Sequence, residues 1–266
     1  MAQTARKRGR PRSSDSGGGT IQALDRALDI LDLLAASNGL TLSEIAERLK
    51  QTPSTVHRVL TTLSARGITE TDPVSQAWFI GPGTFRLGSA FMRRSGIVER
   101  ARPILRRLME ATGETANLGI LNGDSVMFVS QVETNQAIRA FFPPGTRSPL
   151  HASGIGKALL AFGDPQAAQA LARDGGLTRF TAQTLTTPDA LAADLARIRA
   201  RGYALDNEER TLGMRCIAAP VFDMTGAAIA GLSVSGPAHR VGPEHLKTLG
   251  AAVAEAAREL SVALGA

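Results

Sequence analysis

The segment "TLSEIAERLKQTPSTVHRVLTTLSARG" (Thr41–Gly67) constrains this chain more than any other. It holds two helical patterns separated by the tight link "KQ". In the first, Thr41 and Glu44 have capping-box spacing, each side chain placed to satisfy a backbone N–H at the helix start, and Ile45 and Leu49 face inward. In the second, Thr52 stands as N-cap, Pro53 takes the first helical position and Gly67 falls just past the end. Val56, Val59, Leu60 and Leu63 form one apolar stripe. The other face carries Ser54, Thr55, His57, Arg58, Thr61 and Thr62, none of them apolar. A link this short between two helices is the mark of a helix-turn-helix. Upstream, "IQALDRALDILDLLAA" places Ile21, Leu24, Leu28, Leu31 and Leu34 on one helical face, ending at Asn38–Gly39. Downstream, Ile68–Thr71 and Ala77–Ile80 are strand-like runs around a Pro-containing turn. Three helices and a hairpin predict a winged helix-turn-helix over residues 20–82.

Such a unit places its third helix in the major groove of double-stranded DNA, with Ser54, Thr55, His57 and Arg58 in reach of base edges. Arg58 can bond guanine or a phosphate; Arg48, Lys50 and Arg66 suit phosphates. The charge distribution points the same way. Residues 1–95 hold 13 Lys+Arg against 8 Asp+Glu, and residues 96–266 hold 17 against 16. Much of the excess is Arg6, Lys7, Arg8, Arg10 and Arg12, followed by "SSDSGGG", which cannot form a packed element. Residues 1–19 therefore read as a disordered basic arm. Its "RGRPR" contains the Gly-Arg-Pro core of an AT-hook, which would lay Arg8, Arg10 and Arg12 along a narrow A·T minor groove. General phosphate attraction and a tail with no DNA role are the alternatives.

With 266 residues the chain has room for a second core. "TFRLGSAFMRR" reads as a linker helix (83–96). From residue 97 the pattern is mixed: a helix over Val98–Thr112, strand-like "ANLGIL", "SVMFVSQV" and "AIRAFF", helices near Pro165–Ala172 and Pro188–Arg201, strand-like "CIAAPVFD" and "AAIAGLSVSG", and a helix from Pro243 to Leu264. This predicts an α+β domain on a mostly antiparallel sheet over residues 97–266. Cys216 has no intrachain partner, and four His and one Cys show no metal-ligand spacing. No metal or cofactor is expected. No apolar run approaches the ~20 residues of a membrane span, and no signal-peptide core follows Met1, so no membrane role and a cytoplasmic location are expected.

"HASGIGKALLAF" (His151–Phe162) has the look of a phosphate loop. A Walker loop needs a hydroxyl after its lysine, whereas Ala158 follows Lys157; of the dinucleotide fingerprint only Gly154 and Gly156 are present. What survives is the physics of a glycine-rich helix start, whose free N–H groups attract an anion, a carboxylate as well as a phosphate. Lys157 is expected at the surface; His151 either contacts a ligand or caps the loop.

Together, "IQALDRALDILDLLA", "SEIAERL", "STVHRVLTTL", "HASGIGKALLA", "GYALDNEERTLGMRCIAAPVFD" and "LSVSGP" resemble, in this order, the IclR family of bacterial transcription regulators. The resemblance implies an N-terminal winged helix-turn-helix joined by a linker helix to a GAF-like effector-binding domain. It also implies homodimers, often dimers of dimers, that sense small organic acids and control catabolic operons, as repressors or activators. In members that sense small keto acids the loop holds the carboxylate. Carried over, this gives Gly154 and Ile155, through backbone N–H, with Asp206, Cys216, Ser233 and Ser235. Ser233 and Ser235, two apart, share one face of a strand and need partners if buried. Cys216 could equally be a small buried hydrophobe, the serines could bond backbone, and Asp206 could serve the turn. Aromatic residues are few, and none clusters around Ser233 in sequence. A 2-oxo acid of two or three carbons, such as glyoxylate or pyruvate, is therefore expected ahead of an aromatic or larger acid. An enzyme with an accessory DNA-binding domain would need Cys216, His151 and Asp206 to converge, and nothing in the sequence signals that they do.

Overall fold

The computed structural model describes residues 21–173 and 177–266, with no side-chain account of residues 91–95. The arm with Arg8, Arg10 and Arg12, and its tether, lie outside the described residues. The chain divides into two compact units between Arg93 and Arg94, within the helix Pro82–Ser95.

In the first unit, α1 (Gln22–Ala35), α2 (Leu42–Arg48) and α3 (Pro53–Ser64) precede the hairpin β1 (Thr69–Thr71) and β2 (Trp78–Ile80). The Thr41–Glu44 capping box forms in both directions. Thr52 accepts the Thr55 N–H at 3.3 Å. Ile30, Leu34, Leu40, Ile45, Val56 and Leu60 make the core. The expected face of α1 is corrected: Leu34 is buried, but Ile21, Leu24 and Leu28 are 51–68% exposed. Ile30 and Leu34 pack in the core with Leu33, whereas the first two turns face α3 across a groove lined by Ala23, Arg26 and Ala27, and Ile21, Leu24 and Leu28 stay exposed.

After α4 (Pro82–Ser95), the second unit is built on six antiparallel strands in the order β5-β4-β3-β8-β7-β6. These are β3 (Thr115–Asn122), β4 (Ser125–Val132), β5 (Arg147–Pro149), β6 (Ala204–Asn207), β7 (Met214–Phe222) and β8 (Ala228–Pro237). The helices α5 (Ile97–Thr112) and α9 (Leu246–Ala263) pack on each other and on the sheet, as do α6 (Gly154–Phe162) and α8 (Pro188–Arg201); α7 (Pro165–Arg173) lies against α6 and α8. Gly119 and Gly231 face each other across β3 and β8, and a Cβ on either would strike the side chain of Ile155. The paired glycines make the notch into which α6 settles.

One expected strand is absent. "AIRAFF" (137–142) is irregular, and the short β5 takes the edge beside β4. The prolines that follow Phe142 have no N–H for a ladder and restrict the residue before them. Phe142 instead stacks on Phe128, with ring centroids 4.9 Å apart.

Candidate functional site

The N-terminus of α6 lies on the sheet. A Cβ at Gly154 would sit 2.9 Å from Cys216 Sγ and 3.2 Å from Ala218 Cβ, and one at Gly156 would sit 2.3 Å from the Leu150 carbonyl oxygen. Both glycines thus permit close backbone approach. Ser153, the N-cap, accepts the Gly156 N–H at 3.1 Å and donates to the Pro149 carbonyl at 2.9 Å. Gly154 and Ile155, the first two helical positions, have N–H groups with no intrahelical acceptor.

These positions border a cavity of about 210 Å³. Asp206, Cys216 and Ser235 line it with Gly154 and Ile155. Strand pairing brings them there: Asp206 lies opposite Cys216, and Cys216 opposite Ser235. Ser233 is fully buried one step further along β8 and is not part of the lining. The cavity wall also contains residues the sequence reading missed: Phe128, Phe141 and Phe142, and Arg139, Arg210 and Arg215. The expectation that aromatics stay away from the site is therefore corrected. Distance in sequence from Ser233 hid Phe128, which β4 delivers, and the Phe141–Phe142 pair, which the loop before β5 delivers. Arg210 and Arg215 had a signal, standing four residues after Asp206 and one before Cys216.

Asp206 Oδ1 accepts the Glu209 N–H at 2.8 Å. Burial, with the Glu209 charge nearby, pushes its carboxyl up to about 7. Burial, and then Asp206, pushes the Cys216 thiol up to about 11, so it is a neutral thiol near pH 7 and a poor nucleophile. His151 does not join these two. It is buried outside the lining, its Nε2 bonds the Thr178 carbonyl at 2.9 Å, and burial lowers its pKa. It neither contacts the cavity nor caps the loop.

Lys157 does not lie at the expected surface position. It is fully buried, its ammonium donating to Asp194 at 2.7 Å, Glu209 at 2.6 Å and the Leu205 carbonyl at 2.6 Å. A buried ammonium survives only when paired and hydrogen-bonded, and two acidic residues from separate elements supply that. Despite burial, Lys157 and Arg197 hold Asp194 below the usual carboxylate range, whereas burial raises Glu209. Lys157 therefore ties α6 to α8 and to the turn after β6. The site offers donors, one carboxyl that titrates near neutrality and an unreactive thiol, which suits binding. Among the described residues, no group of three His, Cys, Asp or Glu is placed to hold a metal ion, and no helix is long and apolar enough to cross a membrane.

In the first unit, Ser54, His57 and Arg58 are exposed on α3 and Thr55 is half-buried. Thr52 Oγ1 hydrogen-bonds both the Ser54 and Thr55 hydroxyls, at 3.1 and 2.9 Å, which leaves His57 and Arg58 as the long side chains free to reach outward.

Residues 23–73 match the family model of the IclR helix-turn-helix domain, and residues 89–262 that of the bacterial transcriptional regulator IclR C-terminal domain. The HTH-type transcriptional regulator BhcR of Paracoccus denitrificans is 66% identical over 98% of this chain and 95% of its own. The acetate operon repressor of Salmonella typhimurium is 37% identical over 100% and 98%. A crystal structure of an IclR homologue from Microbacterium hydrocarbonoxydans, complexed with 4-hydroxybenzoate, superposes with a TM-score of 0.80 at 26% identity, covering 91% of this chain and 98% of that one. The recognition helix, the antiparallel effector domain and these relatives agree: the chain belongs to the IclR family and is a DNA-binding transcriptional regulator.

Proposed function

We propose that this regulator reads operator DNA with Ser54, Thr55, His57 and Arg58 and responds to a small 2-oxo acid, glyoxylate or pyruvate, held in the α6 cavity. The observation that carries the reading is that Gly154 and Ile155, at the start of α6, line one cavity of about 210 Å³ with Ser235, Cys216 and Asp206. That volume is below the roughly 300–1,000 Å³ of sites for drug-sized ligands. The carboxylate takes the helix N-terminus, with Ser235 as its hydroxyl partner and Ser233 behind Ser235, outside the lining. Asp206, when protonated, donates to the carbonyl or its hydrate. The basic arm with Arg8, Arg10 and Arg12 adds affinity by phosphate or minor-groove binding. The exposed stripe Ile21, Leu24 and Leu28 of α1 supports a homodimer, since an apolar face of this kind is covered most simply by its own copy; dimers of dimers are the next level. The protein would act in the cytoplasm on an operon that breaks down a small acid.

A second reading has one observation in its favour. Phe128, Phe141 and Phe142 give the cavity an aromatic wall suited to a ring acid, the class bound by the Microbacterium relative. A thermal-shift panel separates the two, because a ligand at about 100 times its Kd adds about 2.7 kcal/mol to the native state. Stabilisation by glyoxylate or pyruvate supports the first reading. Stabilisation by hydroxybenzoates alone replaces it.

A further inference from the structure

The polar groups of the site extend past the cavity wall. Across β7, β8, β3 and β4, directly paired residues share one face of the sheet. Cys216 pairs with Ser235 and Ser235 with Thr115; Ala218 pairs with Ser233, Ser233 with Asn117 and Asn117 with Gln131. It is the face on which Gly154 approaches Cys216 and Ala218. Asn117 is fully buried. Its Nδ2 donates to Ser233 Oγ at 3.4 Å and to Ser235 Oγ at 3.3 Å. Its Oδ1, Thr115 Oγ1 and Gln131 Nε2 have no hydrogen-bond partner among the described residues. Orphaned buried polar atoms are costly, and three on neighbouring strands of one face mark a place kept polar for a reason other than stability.

We infer that Asn117 is a positioning residue of the effector site: its amide occupies the oxygens of Ser233 and Ser235, so that the Ser235 hydroxyl proton turns away from β3 and towards a carboxylate bound in the cavity, while Ser233 anchors the same amide from behind. A serine hydroxyl has one proton and two lone pairs. Once an amide N–H takes a lone pair, the proton must find another acceptor. Cys216 Sγ, on the residue directly opposite Ser235 across β7 and β8, is a weak one; a carboxylate oxygen is far stronger. Ser235 thus becomes a donor selective for an anion, and Ser233 the second anchor of the amide that orients it. The inference rests on the 2-oxo acid reading above.

A double-mutant cycle on glyoxylate affinity, measured by calorimetry on the full-length protein, tests it. Asn117→Ala should weaken binding about fivefold, as expected for coupled groups in one network. In a Ser233→Ala/Ser235→Ala background the same change should weaken it less than about twofold. Equal losses in both backgrounds overturn the inference. Asn117→Leu, of similar volume and with no polar atom to bury, guards against a variant that does not fold. It cannot occupy the serine oxygens, so the Ser235 proton is no longer directed at the cavity, and binding of glyoxylate should fall more than binding of the uncharged amide of glyoxylate. Equal losses for the two ligands again overturn the inference. A wild type that binds neither glyoxylate nor pyruvate overturns the effector reading, and this inference with it; a wild type that binds while both Asn117 variants bind equally well overturns this inference alone.

Discussion

Asp206 concentrates the site's chemistry in one carboxyl. Its native pKa, about 7, lies above the ordinary 3.8. The folded chain then holds the proton more tightly than the unfolded one, so Asp206's contribution to stability falls as pH rises from about 4 to about 7 and is level beyond. Ligand binding follows the same sign. A 2-oxo acid is an anion throughout this range; a neutral Asp206 accepts it, and an ionised one repels it. Glyoxylate affinity should therefore weaken as pH is raised from 6 to 8, by at most about tenfold per unit, and Asp206→Asn should flatten the profile. A wild-type profile as flat as the variant's would show that Asp206 does not sense the ligand. Gly154→Ala tests the loop: the added methyl meets Cys216 and Ala218, so α6 must lift. We expect a stability loss of about 1–3 kcal/mol in thermal unfolding and loss of ligand binding. That Asp206, Cys216 and Ser235 meet at one cavity was legible only through the family resemblance; strand spacing gave no more than the shared face of Ser233 and Ser235. Asn117 was not legible, because its role exists only through cross-strand registry, which one strand's sequence does not contain.

Among the elements, α2 and α3 were the most legible, since capping, Pro53 and the apolar stripe all agree on the same boundaries. On α3, Arg58→Ala should remove discrimination between operator and random DNA at a cost of about 1–3 kcal/mol without changing the fold; unchanged discrimination in a competition binding assay would remove Arg58 from the reading set. The helix α6 was legible as a helix but not in what holds it. Lys157 followed two glycines and resembled a surface lysine, and only the arrival of Asp194 from α8 and Glu209 from the β6–β7 turn makes its burial tolerable. Lys157→Met should destabilise by about 3–5 kcal/mol. Asp194 keeps Arg197 at 3.1 Å, so the stranded charge is Glu209. A melting temperature unchanged from wild type would mean that the ion cluster does not anchor α6.

For the whole molecule, the charge asymmetry becomes a statement about DNA. Deleting residues 1–12 removes five basic residues and should lower the log–log salt slope of DNA binding by roughly 0.9 for each phosphate the arm neutralises; an unchanged slope would show that the arm does not touch the backbone. Fold class followed from element order, whereas the exposed start of α1 and the aromatic wall of the cavity depend on how distant segments meet. The regulator joins a DNA-binding unit to the proposed carboxylate site, and a ligand that shifts DNA affinity must bind the two states differently. Calorimetric titration of full-length wild type and Ser235→Ala with glyoxylate and pyruvate tests the sensor most directly. Saturable one-site binding to wild type, weakened in Ser235→Ala by on the order of 1 kcal/mol or more, is the predicted result; no binding of either acid to wild type, or equal affinity in the variant, would contradict it.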